Sequence, residues 1–260
     1  MVELTEDEKK LPYVKYYYQD MAPVPKDKIQ IAEGPPADPA KALPIEEKNK
    51  FLSGTDSGIS CGFTVLEDGL GYVANSTFMA NVSVEMCEWW FGWHCVGSDL
   101  RYKLWGHDDH YHAKAYKPEY VKDSNVPLSQ KTWGVRHFVK EDIGFGPESV
   151  YLCFKAPKNF GYDTAFIGKE KCQSLVCAVG EGKTPAFMTH KFYTVPGGVE
   201  FESRFWMGIG YQNEKLVRVL PQGVKCPEAG PRALFSHSVK EFTNLAAILP
   251  EIYKEQRDNW

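Results

Sequence analysis

The sequence predicts an α+β fold, in which a curved antiparallel sheet closes around a long C-terminal helix and a helical arm precedes the sheet. This arrangement is called a helix grip. Three observations support the prediction: short apolar runs alternate with glycine from residue 51 onward, residues 232–258 repeat apolar side chains at a helical period, and residues 1–50 hold seven of the 17 prolines. Because proline interrupts helices, the first 50 residues can form only short helices joined by extended pieces.

The composition is that of a globular protein. The chain has 260 residues, 43% hydrophobic residues and a formal net charge of −4. These values indicate one large domain, or a domain with a smaller arm. We divide the chain into an arm at 1–50 and a helix-grip domain at 51–260.

The sequence predicts no membrane span, no signal peptide and no nucleic-acid binding. No apolar run approaches the ~18–20 residues of a membrane span, the first residues are charged where a signal peptide is apolar, and scattered Lys and Arg make no nucleic-acid footprint. The seven cysteines are odd in number and contain no Cys-x-x-Cys pair. We therefore expect a cytoplasmic enzyme or binding protein without disulfides.

The arm contains an aromatic run at 11–18, LPYVKYYY. An exposed aromatic cluster on a segment with little core of its own predicts packing against another surface. The sequence leaves two alternatives for that surface. The run packs against a second subunit, which would make the arm a dimerisation element, or it folds back on its own body.

The body reads as strands followed by one helix. Apolar runs predict strands at 72–79, 82–86, 150–154, 186–193 and 199–207, with Pro196-Gly197-Gly198 as a turn between the last two. Residues 199–205 alternate apolar and polar side chains, as a half-buried antiparallel strand does. Apolar side chains at 234, 235, 239, 242, 245, 246, 249 and 252 predict an amphipathic helix over 232–258.

One residue pair on that helix is suited to metal binding. His237 and Glu241 are four residues apart, which stacks both side chains on one helix face. A divalent metal would satisfy both groups if they face a cavity, whereas on the surface they would be an ordinary ion pair. Mixed histidine and carboxylate ligands suit zinc, iron or manganese.

A second candidate is the run His107-Asp-Asp-His110-Tyr-His112, which offers five possible ligands in six residues. On a strand His110 and His112 would share a face, because alternate residues point the same way. The alternative is a polar loop. Glu141 and His190 do not stand out from their neighbours, and a histidine in apolar company, such as His190, is more often a satisfied core residue.

Several segments together resemble the family of 2,4-diacetylphloroglucinol and phloretin hydrolases. They are Pro12-Tyr-Val-Lys-Tyr-Tyr, Trp89-Trp-Phe-Gly-Trp-His94, Arg101-Tyr-Lys-Leu-Trp105, Glu141-Asp-Ile-Gly, His190-Lys-Phe-Tyr-Thr-Val-Pro-Gly-Gly198, Ser203-Arg-Phe-Trp206 and His237-Ser-Val-Lys-Glu241-Phe. Their order and spacing carry the resemblance from about residue 11 to 253. It implies a pollen-allergen-like helix grip, a homodimer built by the arm, and zinc-dependent hydrolysis of the carbon–carbon bond between a phloroglucinol ring and an acyl group.

The resemblance also implies roles for individual residues. The zinc ligands that it implies are His110, Glu141, His237 and Glu241. His190 would be the catalytic acid/base and Tyr102 would hydrogen-bond the substrate. His107 and His112 match no ligand position, so the resemblance contradicts the pairing of His110 with His112.

Two substrate-contacting positions depart from the family pattern. Phe205 stands where the diacetylphloroglucinol enzyme has a tyrosine, and Ala113 stands where it has an asparagine. Both changes remove a polar group from the pocket. We therefore expect a larger, less polar acyl group, and phloretin as the substrate. The alternatives are a 2,4-diacetylphloroglucinol hydrolase that releases acetate, and a helix-grip carrier of hydrophobic small molecules whose aromatic residues, such as Trp89 and Trp93, only wall a cavity.

Overall fold

The computed structural model describes residues 1–56 and 58–260. It has the α+β fold that the sequence predicts. Within that part of the chain eight strands form one antiparallel sheet, in the order β1-β2-β8-β7-β6-β5-β4-β3, and two more form a separate hairpin. The strands are β1 Gly62–Val65, β2 Gly71–Ala80, β3 His110–Ala115, β4 Arg136–Glu141, β5 Glu148–Phe154, β6 Ser174–Glu181, β7 Ala186–Val195, β8 Gly198–Met207, β9 Ile209–Gln212 and β10 Lys215–Arg218.

The helices are short except for the last. The α-helices are α1 Lys26–Glu33, α2 Asn49–Ser53, α3 Val84–Trp93, α4 Leu100–Lys103, α5 Pro118–Lys122 and α6 Ala229–Gln256. Turns of 3-10 helix lie at Glu8–Lys10, Val14–Tyr16, Pro39–Lys41, Ile45–Glu47, Leu128–Gln130, Pro157–Phe160 and Thr164–Phe166. No helix among the described residues is long and apolar enough to cross a membrane.

Helix α6 lies across the sheet and confirms the predicted C-terminal helix. It packs on β1, β2 and α3. Phe235, Val239, Phe242, Leu245 and Leu249 are buried along one face, at the spacing of three or four residues that a helix requires. Pro231 lies in the first turn of the helix, where backbone N–H groups have no acceptor within the helix. The N–H that proline lacks therefore costs no hydrogen bond there.

Four of the five predicted strands are confirmed as β2, β5, β7 and β8. The predicted turn joins β7 to β8, where Val195 pairs with Gly198 and Gly197 has a φ of 86°. Strand β8 is buried on both faces rather than on one. The second face is covered by the segment before β1, to which the Trp206 indole N–H donates at Leu43 O (2.8 Å).

The predicted strand at 82–86 is wrong, because α3 begins within it. Asn81 has a φ of 60° and ends β2. The Ser83 side chain then accepts a hydrogen bond from Met86 N–H at 3.2 Å, which caps the helix. The apolar run that follows is buried as a helix, so the capping serine outweighed the strand propensity of Val82 and Val84.

The aromatic run of the arm packs on its own chain. Tyr13, Tyr16 and Tyr17 are buried, while Tyr18 is 62% exposed. The Tyr13 ring meets the edge of Trp93 with 5.4 Å between ring centroids. Of the two surfaces that the sequence left open, the body of the same chain covers these three tyrosines. Dimerisation through the arm stays a prediction.

Candidate metal centre

Three of the four predicted ligands converge between the sheet edge and α6. His110 is the first residue of β3, and His237 and Glu241 lie one turn apart on α6. The two Nε2 atoms are 3.3 Å apart. Glu241 Oε2 lies 3.5 Å from His110 Nε2 and 3.8 Å from His237 Nε2. All three side chains are nearly removed from solvent.

These distances and charges fit a divalent cation. Around a tetrahedral ion with bonds of about 2.0–2.1 Å, neighbouring ligand nitrogens lie roughly 3.3–3.4 Å apart. Two facing imidazole nitrogens can share only one proton, and Glu241 approaches neither of them more closely than 3.5 Å. Burial, reinforced by the charge of Glu141, raises the pKa of Glu241 to about 8, despite the opposing effect of His237. The donor set is thus one that a metal would stabilise.

The two histidines differ in charge. Burial lowers the pKa of His110 well below its usual value, and the charge on His237 adds to this effect. Burial opposes the charge on His237 too, but its contact with Asp109 and the nearby Glu241 and Glu141 raise its pKa to about 9. Without a metal His237 therefore carries the positive charge of the pair.

Glu141 approaches from the strand next to His110. It is the last residue of β4 and is paired with His110 across the β3–β4 ladder. Its carboxylate accepts a hydrogen bond from the Tyr102 hydroxyl. The ligand atoms of His110, His237 and Glu241 all lie within 4.8 Å of one another, and Glu141 does not belong to that group. Glu141 and the candidate ligands His237 and Glu241 line a cavity between the sheet and α6. The role of Glu141 as the fourth ligand stays a prediction.

Tyr102 contacts His110 through both its ring and its backbone carbonyl. Its ring is parallel to the imidazole with 4.0 Å between centroids, and its carbonyl oxygen lies 3.1 Å from His110 Nδ1. A proton on Nδ1 for that contact leaves Nε2 free to face the other ligands. Burial and the charge of Glu141 raise the pKa of Tyr102 well above its usual value, so the phenol stays protonated.

A β-bulge explains why His112 does not join the site. The ladder with β4 shifts register between His110 and His112, so the two side chains lose the common face that regular alternation would give them. His112 Nδ1 instead lies 2.8 Å from an oxygen of Asp99. The strand-based pairing of His110 with His112 is wrong, and His107 is buried against Tyr17.

His190 lies on β7 and faces the same cavity. Its Nδ1 is 2.8 Å from Ser203 Oγ on β8, which leaves Nε2 as the ring nitrogen available to a molecule in the cavity. Its ring stacks on Phe91 with 5.4 Å between centroids. Burial lowers the pKa of His190 to about 3, so the imidazole is neutral at neutral pH.

The cavity between the sheet and α6 has a volume of about 330 Å³, and its polar lining residues include Tyr102, Glu141, His190, His237 and Glu241. Phe205 lines it, and its contact with a substrate stays a prediction. Ala113 does not belong to the described lining residues. It lies beyond the bulge and is buried in the hydrophobic core, with its N–H directed to Asp99 (3.3 Å). Its contact with a substrate stays a prediction. Apolar lining residues are Phe91, Ile143, Phe145, Val150, Leu152, Met188, Phe205, Met207 and Leu234.

Comparison with known proteins identifies the family. The sequence model described as the DAPG hydrolase PhiG domain matches residues 43–254. The chain belongs to the DAPG hydrolase family. It is 54% identical to the phloretin hydrolase of Eubacterium ramulus, over 100% of this chain and 95% of that protein. It is 27% identical to a 2,4-diacetylphloroglucinol hydrolase of a Pseudomonas species, over 94% of this chain and 88% of that protein.

The sequence reasoning missed Asp109 in this member of the DAPG hydrolase family. Its carboxylate lies 3.6 Å from His237 Nδ1 and 2.9 Å from Lys240 Nζ. It belongs to the His107–His112 run, but its position next to His110 on the chain does not show that it also contacts His237, the other candidate histidine ligand. Only the approach of α6 to the start of β3 brings the two together.

A second buried group, His94, Cys95 and His137, also offers metal-ligand atoms close together. Cys95 Sγ lies 3.2 Å from His137 Nε2 and 3.3 Å from the Gly92 carbonyl oxygen. Burial raises the pKa of the Cys95 thiol far above its usual value. Because thiolate is the form that binds metals, this group is better suited to hydrogen bonding within the core.

Proposed function

We propose that the chain is a zinc-dependent hydrolase that cleaves the carbon–carbon bond between a phloroglucinol ring and its acyl group, with phloretin as the substrate. The products would be phloroglucinol and phloretic acid. The observation that carries the proposal is the cluster of His110, His237 and Glu241, of which His237 and Glu241 line one cavity together with Glu141 and His190. The name and 54% identity of the phloretin hydrolase relative support the choice of substrate.

We assign the metal to His110, Glu141, His237 and Glu241. A mixed set of imidazole and carboxylate donors is typical of zinc, and no thiolate is needed. When bound, zinc supplies a Lewis acid that polarises a substrate oxygen or lowers the pKa of water. Tyr102 is neutral and donates its hydroxyl proton to Glu141, so its oxygen would accept a hydrogen bond from a hydroxyl of the phloroglucinol ring.

His190 would move the protons. In its neutral form it takes a proton from a ring hydroxyl and delivers it to the ring carbon that bears the acyl group, which turns the ring into a β-dicarbonyl. It then takes a proton from water while the oxygen of that water bonds to the acyl carbonyl carbon. Both steps use a base that starts uncharged, which burial of His190 favours.

Bond cleavage then completes the balance. When the tetrahedral adduct collapses, the carbon–carbon bond breaks and its electron pair passes into the ring. The ring leaves as an aromatic phenolate, which the protonated His190 neutralises. One water is consumed for each acid released. Ser203 would keep His190 oriented through both proton transfers, because their 2.8 Å contact involves the ring nitrogen that faces away from the substrate.

The acyl group would lie against the apolar wall. Phe205 replaces a tyrosine in the pattern of the diacetylphloroglucinol enzymes, so this part of the cavity has no hydroxyl there to pair with a second acetyl oxygen. The distant relatives named 2,4-diacetylphloroglucinol hydrolase, at 27% and 26% identity, keep that substrate as the alternative. A carrier without catalysis would have no use for the buried ligand set.

We further propose a cytoplasmic homodimer in which the 1–50 arm contributes to the contact between subunits and 51–260 forms the catalytic domain. All seven cysteines are free thiols, which agrees with a reducing compartment. The exposed Tyr18 beside the buried tyrosines offers apolar surface for a second subunit. Light scattering on the purified full chain would give twice the monomer mass if the dimer forms.

The decisive test is product analysis by liquid chromatography and mass spectrometry. The purified protein is incubated with phloretin and, in parallel, with 2,4-diacetylphloroglucinol, each with and without a chelator. We expect chelator-sensitive release of phloroglucinol and phloretic acid. Acetate and monoacetylphloroglucinol as the main products would move the assignment to the diacetyl substrate. Turnover of neither substrate by the zinc-loaded protein would contradict the proposed reaction.

A further inference from the structure

An exposed phenylalanine lies at the opening of the cavity. Phe145 belongs to the loop 142–147 between β4 and β5 and lines the cavity, yet 64% of its surface is exposed. An apolar ring left open to solvent loses the free energy that burial would provide. Exposed apolar groups beside a cavity commonly mark the place where a ligand covers them.

The loop holds this ring in place. Gly144 and Gly146 flank Phe145 with φ values of 111° and 90°, a region that favours glycine. The Asp142 Oδ1 atom accepts hydrogen bonds from both glycine N–H groups, at 2.7 and 2.9 Å. The loop also rests on α6, since a Cβ added at Gly144 would lie 3.5 Å from Ala233 Cβ. Phe145 is therefore presented by a shaped turn.

Apolar side chains line much of the cavity wall, to which Glu148, Lys183 and Thr184 also belong. Val150 and Leu152 on β5, Met188 on β7 and Leu234 on α6 line it and are only partly buried. They keep this exposure because they face the cavity. A phloroglucinol ring held by the polar groups would direct its acyl chain along these side chains.

The chain length between Glu141 and Phe145 sets the reach of the loop. Phe145 follows Glu141 by four residues, which span at most roughly 14 Å. An acetyl group ends close to the bond that breaks, whereas an arylpropanoyl chain extends one carbon and an aromatic ring further. Only the longer chain would reach the opening of the cavity.

From these observations we propose that Phe145 is a specificity-determining residue, which packs against the aryl end of the acyl chain and favours arylpropanoyl over acetyl phloroglucinols. The inference rests on the proposed function and adds the part of the site that selects the acyl group. Its chemistry is apolar contact at the cavity opening, remote from the bond that breaks.

The test compares Phe145→Ala with the wild type on phloretin and on monoacetylphloroglucinol. We expect KM for phloretin to rise about tenfold, as loss of part of a phenylalanine contact implies, with kcat within about twofold. The acetyl substrate should keep its KM. Phe145→Tyr should restore the low KM. The matched control is Phe78→Ala on β2, whose ring is 51% exposed and is not among the described lining residues.

Binding separates a failure of this inference from a failure of the proposed reaction. Calorimetric titration of phloretin is carried out on His190→Ala with and without Phe145→Ala, where no turnover is required. Tenfold weaker phloretin binding in the double variant would support the contact, even if the wild type cleaves neither substrate. Equal binding in both backgrounds, or equal KM changes for both substrates, would overturn the inference.

Discussion

His190 and His237 are both buried beside the same cavity, and their neighbours give them opposite charges. His190 has a hydroxyl and aromatic rings around it, and its pKa falls to about 3. His237 faces carboxylates, and its pKa rises to about 9. Burial disfavours the charged form of both rings, so the outcome depends on whether a carboxylate is close enough to offset it. The His190 ring is therefore neutral at neutral pH, whereas the His237 ring is charged and would have to release its proton to bind a metal.

Ser203 is the residue whose loss should show how far His190 depends on orientation. We predict that Ser203→Ala lowers kcat by about ten- to a hundredfold, less than the ~10²–10⁴ that an entire acid/base contributes. KM and zinc content should stay unchanged, because the hydroxyl contacts neither ligand nor cavity. Steady-state kinetics and metal analysis measure this. Ser236→Ala, on the exposed side of α6, is the control, and wild-type kcat in Ser203→Ala would exclude the orienting role.

Asp109 should act on the metal through His237. We predict that Asp109→Asn weakens zinc binding by about ten- to a hundredfold, the usual effect of removing a carboxylate behind a histidine ligand. Competition titration with a chromogenic chelator gives the affinity. Asp108→Asn provides a matched control, because Asp108 contacts the same Lys240 Nζ (3.3 Å) and does not contact His237. Equal affinities in the two variants would contradict this role.

At the scale of elements, contacts within one helix could be predicted from local periodicity, whereas contacts between strands could not. His237 and Glu241 share a helix face, and helical spacing alone indicates that relation. Glu141 becomes a neighbour of His110 only through the register of β3 with β4, which no local pattern specifies. The bulge that turns His112 away is likewise a tertiary feature. The sheet and α6 were predictable, whereas the fourth candidate ligand came from the family resemblance.

The arm is joined to the site by a buried ion pair. Lys103, in the short helix α4 that also carries Tyr102, contacts Glu8 at 2.9 Å, and both side chains are almost fully buried. Burial opposes the charge of Glu8, but the hydrogen bonds from Lys103 and Thr5 outweigh it and lower its pKa below 4.5. The ion pair thus connects the first turn of the arm to the helix beneath the candidate metal site.

This pair makes the stability of the arm pH-dependent. We predict that Glu8→Gln lowers the free energy of unfolding by about 3 kcal/mol at pH 7, because it leaves the Lys103 charge buried without its partner. A carboxylate with a depressed folded-state pKa stabilises fully above its unfolded value of 4.5, and the effect fades as pH falls through the folded value.

Urea denaturation at pH 7 and at more acidic pH measures the difference between the wild type and Glu8→Gln, which should shrink on acidification. Glu6→Gln is the control, because Glu6 forms an exposed ion pair with Lys9 (2.7 Å) that contributes little. A destabilisation of the same size at every pH would mean that Glu8 acts by packing and not by charge.

At the scale of the whole molecule, the candidate ligands come from distant parts of the chain. His110 opens β3, Glu141 ends β4, and His237 and Glu241 lie on α6, about 100 residues further on. A metal bound there would join one edge of the sheet to the helix that crosses it. Since the unfolded chain does not hold these groups together, metal binding should stabilise the fold.

We therefore predict that metal removal lowers the melting temperature of the whole molecule. At a free zinc concentration of 1,000 times Kd the stabilisation is about 4 kcal/mol, or roughly 8–16 °C for a domain of this size. Differential scanning calorimetry with and without a chelator measures the shift. His237→Ala, which lacks a ligand, should melt at the same temperature under both conditions. A chelator effect of equal size in that variant would show that the stabilising metal lies elsewhere, and the assignment of these four residues would have to be given up.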